Sequence, residues 1–240
     1  MARRSTFRLL FSMVLVCTLW MTSSAAWAVT AGYEDCGPAF DGIGKCYFGR
    51  EIAQVMTYEG AGWLDRSGRD NEEQPDKAIA ALKFKPQDVV ADVGAGIGYM
   101  TFKIAPQVAK VYAVDLQPEM LKMLGDRQRA AEIENVELVQ GSETATNLAA
   151  GSIDWAIMVD AYHEFTQPKE MMESIYAALK PGGKVVLVEY KGENPLIAIK
   201  PHHKMTQTQA RAEVSAAGFK FVENKKVLPQ QHVLVFQKPA

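Results

Sequence analysis

Cysteine and histidine are scarce in this chain of 240 residues, at three and four. Cys17 stands apart near the N-terminus, so the main body keeps only Cys36 and Cys46. No histidine lies near that pair, which argues against a cysteine-built metal site there. Clustered positive charge is also missing. Beyond the extreme N-terminus and Lys225-Lys226 the basic residues are scattered, and the formal net charge is −2, so no nucleic-acid partner is expected. Repeats and low-complexity linkers are absent. With 48% hydrophobic and 22% charged residues, the chain reads as one globular domain with additions.

The N-terminus carries a targeting pattern. Arg3, Arg4 and Arg8 precede the apolar run Leu9 to Met21, and small residues lead to Ala26-Trp27-Ala28. A charged region, an apolar region and an A-x-A site together predict a secretory signal peptide over 1–28, cleaved after Ala28. The expected destination is the periplasm or the medium, with no stable membrane insertion after cleavage. The same run, uncleaved, would anchor the domain on the far side of a membrane. Loss of the three arginines takes the formal charge from −2 to −5. Export places Cys36 and Cys46 in an oxidising compartment, where they are expected to pair. The glycine-rich stretch around them reads as an irregular loop. Residues 50–82 read as more helical, giving an N-terminal loop and helical cap over 29–82.

The densest information lies in Val89 to Thr101, VVADVGAGIGYMT. An apolar run ends in Asp92, and Gly94, Gly96 and Gly98 follow at alternate positions. This predicts a buried strand, a glycine turn and the start of a helix. Without Cβ atoms, such a turn lets a ligand lie against the backbone. The G-x-G-x-x-G spacing of a dinucleotide site is missing, which counts against a nicotinamide oxidoreductase. An acid two residues before the first glycine would repel a pyrophosphate but suit an ammonium group. Val111 to Leu116 reads as a second strand ending at Asp115, at the distance from the glycine loop where an acid can meet ribose hydroxyls. Further strands are expected at Val136 to Val139, Ile153 to Asp160 and Lys184 to Tyr190. Helices are expected at Pro118 to Ala131, Pro168 to Leu179 and Thr206 to Ala217. Two closing strands, Phe219 to Val227 and His232 to Gln237, complete the alternation. The pattern implies an α/β fold with a mainly parallel sheet and helices on both faces.

The ordered motifs VVADVGAGIGYMT, VYAVDL, IDWAIMVD and ALKPGGKVVLVE resemble those of the class I S-adenosylmethionine-dependent methyltransferases, broadly the type 11 group. The resemblance covers roughly Leu82 to the C-terminus and implies a methyltransferase domain over 83–240. It implies a Rossmann-like, seven-stranded sheet closed by a C-terminal antiparallel hairpin, with S-adenosylmethionine as cofactor. Carried onto this sequence, the cofactor residues would be Asp92, Gly94, Ala95, Gly96, Gly98, Asp115, Leu116, Ser142, Glu143 and Asp160. Asp92 would meet the methionyl ammonium and Asp115 the ribose, although either acid could instead cap a turn. Ser142 stands where the family often has the acid that meets adenine, and Glu143 is its expected substitute.

The reaction implied is in-line methyl transfer to a small-molecule acceptor, at oxygen or nitrogen. His163, Asp160 and Tyr162 are the candidate catalytic residues. His163 would be a general base or a structural, orienting histidine. Asp160 would orient the methyl donor or a substrate group, and Tyr162 would pack against adenine or close the substrate pocket. Lys200 to Met205 could shape the acceptor site, and Trp63, Arg66 and Arg69 could form a lid. Asp160, His163, Glu164, His202 and His203 include metal-binding residue types, but their spacing shows no convergence and no metal is expected. The competing reading is an exported methyltransferase-fold protein that binds without turnover. The sequence leaves the oligomeric state open.

Overall fold

Val89–Val93 and Ile153–Val159 are apolar on both faces, which suits strands covered by helices on each side. A computed structural model describes residues 32–37 and 39–240. The expected signal peptide and Cys17 lie outside the described residues.

In chain order the strands are β1 (Tyr33–Asp35), β2 (Gly42–Tyr47), β3 (Arg50–Ala53), β4 (Val89–Val93), β5 (Lys110–Asp115), β6 (Val136–Gln140), β7 (Ile153–Val159), β8 (Leu179–Tyr190), β9 (Lys220–Asn224) and β10 (Gln231–Gln237). The helices are α1 (Ala61–Leu64), α2 (Arg69–Glu73), α3 (Pro75–Leu82), α4 (Tyr99–Ile104), α5 (Pro118–Ala130), α6 (Pro168–Ala178) and α7 (Gln207–Ala216). Short 3-10 turns at Tyr162–Glu164 and Pro201–His203 carry site residues.

The main sheet has seven strands in the order β6-β5-β4-β7-β8-β10-β9. Pairings among β6, β5, β4, β7 and β8 are parallel, and β10 runs antiparallel to both β8 and β9. This is the expected fold, hairpin included. The strand order reverses beside β4, and the carboxyl ends of β4, β5 and β7 open there into a crevice, where ligands bind in open α/β sheets. One apolar layer holds Ile79, Ile104 and Leu124 from α3 to α5 against the sheet. The other holds Met172, Ile175 and Val214 from α6 and α7. All are essentially inaccessible, so the strand ends are held by a packed frame.

The N-terminal segment departs from expectation. Where an irregular loop was predicted, β1, β2 and β3 form an antiparallel three-stranded sheet. Phe48 and Gly49 both have positive φ, 51° and 75°, as a tight two-residue hairpin requires. Gly49 serves this turn, whereas Gly42 and Gly44 lie within β2 itself. Cys36 and Cys46 are disulfide-bonded, tying the end of β1 to β2. Within residues 50–82, read as more helical, α2 and α3 are separate helices. Gln74 takes a left-handed conformation (φ 52°) between them. The cause is Pro75, which starts a helix well and disfavours helical backbone in the residue before it.

Candidate active site

The turn after β4 is held by β5. The amides of Gly94 and Ala95 both donate to the Val114 carbonyl, at 2.8 and 3.0 Å. Gly94 has φ 79°, and a Cβ there would stand 2.6 Å from the Ala161 methyl, closing the gap between the β4 and β7 ends. The opening left is a cleft of about 870 Å³ of empty space, lined by Gly94, Gly96, Asp115, Leu116, Ser142, Glu143 and Asp160 among others. Seven of the ten expected cofactor residues therefore converge.

Asp115 sits at the tip of β5, 8% exposed. One carboxylate oxygen accepts from the Gly96 amide at 2.8 Å and the other from Gln117 at 2.9 Å. Each oxygen keeps lone-pair capacity toward the cleft, which suits a vicinal diol. Burial raises its pKa, against the opposing backbone amides. At the far end, Thr166 donates to Glu143 at 2.9 Å, orienting that carboxylate. The Ser142 hydroxyl accepts from the Ala145 amide at 3.0 Å, so it also shapes its own turn.

Three expected cofactor residues stand apart from this cleft. Asp92 is 2% exposed and accepts from the Thr101 hydroxyl at 2.6 Å. Burial, with Asp115 adding to it and Thr101 opposing, pushes Asp92 up to about 6. With Ala95 it faces only a small annex beside Arg69 and Tyr99. Gly98 borders neither the cleft nor the annex. Its φ is 90°, and a Cβ there would lie 2.6 Å from Phe102 and 3.0 Å from Leu124. A glycine here leaves room for close packing of α4.

The turn after β7 divides its residues between two clefts and the core. Asp160 has φ 48°, an unusual backbone for a non-glycine residue at a strand end. It borders both the first cleft and a second of about 1150 Å³. Its Oδ2 accepts from Gln231 at 2.8 Å, whereas Oδ1 is buried without a hydrogen-bond partner among the described residues. Burial, with Glu73 and Glu189 nearby, pushes Asp160 well above the usual carboxylate range. Tyr162 is wholly buried, packed edge-on against Phe165, and lines neither cleft. Its expected role in closing the pocket is therefore corrected. The 3-10 turn rotates its ring into the core.

His163 lines the second cleft. Its Nδ1 donates to Glu189 Oε2 at 2.6 Å, and Nε2 faces His203 Nδ1 at 3.1 Å and Glu164 Oε1 at 3.7 Å. Burial works to lower its pKa, but Glu189 and Glu164 prevail and hold it up at about 10. Glu164 answers in kind. Despite burial, His163 and His203 hold it at about 2. A histidine so paired is not a ready base at neutral pH, which favours the orienting reading. Of the five candidate metal-binding residues, His163, Glu164 and His203 converge. His202 turns away, to Asp41 at 2.6 Å and Glu51 at 3.2 Å.

Residues 90–183 match the family model described as a methyltransferase domain. That stretch, well under half of the chain, is similar to methyltransferase domains. Over 66 residues, 28% of its length, the chain is 44% identical to a probable ribosomal RNA small subunit methyltransferase A of Methanosarcina mazei. That stretch spans only about a quarter of the curated Methanosarcina relatives it matches. A solved S-adenosylmethionine-dependent methyltransferase of Aquifex aeolicus superposes with a TM-score of 0.72, covering 76% of this chain and 99% of that one at 22% identity. PigF, solved with S-adenosylhomocysteine, superposes with a TM-score of 0.62 at 18% identity, covering 75% of this chain and 59% of that one.

The cofactor that this similarity implies is S-adenosylmethionine, and the residues present fit it. Asp115 offers acceptors for a ribose diol. Gly94 leaves room for a chain against the backbone. Asp160 Oδ1 is a buried acceptor in want of a donor, as an ammonium would supply. Three further residues shape the site beyond what was read from the sequence. Glu189 ends β8 and holds His163. Arg69, proposed only as part of a lid, is 6% exposed and borders both clefts, with its guanidinium held by Glu73 and the Leu64 carbonyl. Gln117 ties the start of α5 to Met56 and Tyr58 of the N-terminal segment. Glu189 lay within a quoted motif, but only the fold brings it to His163.

Proposed function

We propose that this protein is an exported S-adenosylmethionine-dependent methyltransferase acting on a small molecule, at an oxygen or nitrogen atom, and not on nucleic acid. The meeting of two clefts at Asp160 and Glu164 carries the reading: one cleft suits the methyl donor and the other opens beyond it for an acceptor. S-adenosylmethionine, when bound, supplies a methyl group on a positively charged sulfur that is already a good leaving group.

The protein's task is alignment and exclusion of water. Asp115 fixes one end of the donor site and Asp160 the junction. Val55, Met56 and Leu64, from the N-terminal segment, border both clefts and cover the junction with apolar surface. Met56 is held there by its amide, which donates to Glu164 at 3.1 Å. A small acceptor is supported by the scattered basic residues, which offer no clustered charge to a nucleic acid. Export is supported by the pattern over 1–28 and by the Cys36–Cys46 disulfide. Among the described residues no helix is long and apolar enough to cross a membrane. Retention of Asp115 and the glycines speaks against a scaffold that has lost turnover.

The test is label transfer from methyl-labelled S-adenosylmethionine to a panel of phenols, carboxylates and amines, with ribosomal RNA alongside. Transfer to a small acceptor, lost in Asp115→Ala, is expected. Transfer to RNA alone would overturn the acceptor class.

A further inference from the structure

We propose that His163, Glu164 and His203 bind a divalent first-row transition-metal ion, and that the ion's open positions take oxygen donors of the acceptor. The second half rests on the methyl-transfer reading; the first does not.

Ligand atoms about 2.0–2.2 Å from one ion lie roughly 3.0–3.5 Å from each other when they occupy neighbouring positions. Here His203 Nδ1 lies 3.1 Å from both His163 Nε2 and Glu164 Oε1, and the third edge, from His163 Nε2 to Glu164 Oε1, is 3.7 Å. Movements of a few tenths of an ångström would complete the triangle. Each ligand is held from behind. Glu189 holds the Nδ1 proton of His163, so Nε2 is the nitrogen aimed at the other two, and it would release its own proton on binding an ion. Glu189 is itself fixed by the Tyr162 amide at 3.0 Å. A carboxylate behind a ligating histidine is the usual means of setting its tautomer and orientation. Glu164 Oε2 is occupied by the Met56 amide, so Oε1 is the oxygen left to face the histidines.

The third ligand is positioned across the fold. The Pro201–His203 turn is pinned through His202 to Asp41 and Glu51 of the N-terminal segment, and this sets the turn from which His203 reaches His163. Two imidazoles and one carboxylate select zinc, iron(II) or cobalt(II) over magnesium or calcium, which prefer all-oxygen sites. The triad occupies one side of the second cleft, with Asp160 and Tyr190 also on its wall, so further positions on the ion would face that space. A bound ion there would polarise an acceptor hydroxyl without a protein base.

The test uses the full chain, stripped with EDTA and titrated with cobalt(II) chloride while visible absorption is recorded. A one-to-one titration with absorption bands typical of mixed nitrogen and oxygen ligation is expected. His203→Ala should raise the cobalt dissociation constant by at least about 100-fold, and Glu189→Gln, which only loosens His163, by about 10- to 100-fold. S-adenosylhomocysteine binding by His203→Ala, unchanged within about threefold, certifies that this variant is folded. Catechol, as a two-oxygen probe, should shift the bands of the wild-type cobalt form. A wild type that binds S-adenosylhomocysteine but not cobalt overturns the metal site, as does cobalt binding that survives His203→Ala. Bands unmoved by catechol overturn the open positions. Cobalt bound one-to-one without S-adenosylhomocysteine binding upholds the metal site and overturns the methyl-transfer reading instead.

Discussion

The donor and acceptor sides of the cleft are built in different ways. The donor side grows from a local nucleus, to which Ser142, Glu143 and Asp160 are added from later strand ends. Strand β4, its glycine turn and α4 fall within one short stretch, and Asp115 stands 19 residues beyond the Gly96 amide it accepts from. The acceptor side is assembled from afar. Arg50 forms a bidentate pair with Glu213, 163 residues away, and donates to the His163 carbonyl at 3.1 Å. Asp41 holds His202 across 161 residues, and His163 faces His203 across 40. A compact motif can keep its cofactor geometry while an assembled wall changes, so one fold can serve many acceptors.

This contrast can be broken from either side. The largest effect is expected from Asp115→Ala, which should weaken S-adenosylhomocysteine binding by at least about 100-fold while leaving cobalt binding intact. Calorimetry and cobalt titration on one sample would check both. Equal damage to both would mean that the two sides are not separable.

Arg50→Ala should cost about 3–5 kcal/mol of stability, because the buried Glu213 carboxylate is left unpaired. Denaturant unfolding would measure it. A loss below about 1 kcal/mol would show that the N-terminal sheet is not anchored through this pair.

Reduction of Cys36–Cys46, which closes a short loop, should cost about 2–3 kcal/mol. Its effect should fall on the acceptor side, where β1 to β3 pack, and spare cofactor affinity. Thermal unfolding with and without reductant, paired with calorimetry, tests this.

The smallest effect concerns Asp92. Its pKa is raised in the folded state, to about 6 from 3.8, so the native state holds the extra proton between those values. Stability from this group is present at low pH and is lost as pH rises from about 4 to about 6, by roughly 1–3 kcal/mol. Asp92→Asn keeps an acceptor for Thr101 and removes the titration. It should be more stable than wild type above pH 6, and the difference should shrink toward pH 4. A difference independent of pH would contradict the assignment.

The same contrast governs what the sequence made legible. The sheet, its closing hairpin and the donor cleft follow from short apolar runs, glycine spacing and acids at strand ends, all local signals. Three alternate glycines look alike in sequence, although Gly94 and Gly96 line the cleft and Gly98 packs against Phe102 and Leu124. Tyr162 was misplaced because a 3-10 turn sends neighbouring residues in different directions. The N-terminal sheet was missed because glycines that form hairpin turns also mark loops. The triad of His163, Glu164 and His203 was invisible because nothing local reports that two turns so far apart meet, nor that Glu189 lies behind one of them.

The most direct measurement is calorimetric titration of the full chain, folded and disulfide-bonded, with S-adenosylmethionine, S-adenosylhomocysteine and NAD. Binding of both sulfur ligands, with none of NAD, is the result expected of the cleft between Gly94 and Asp115. Failure of a folded sample to bind either sulfur ligand would contradict the donor site on which the proposed function rests.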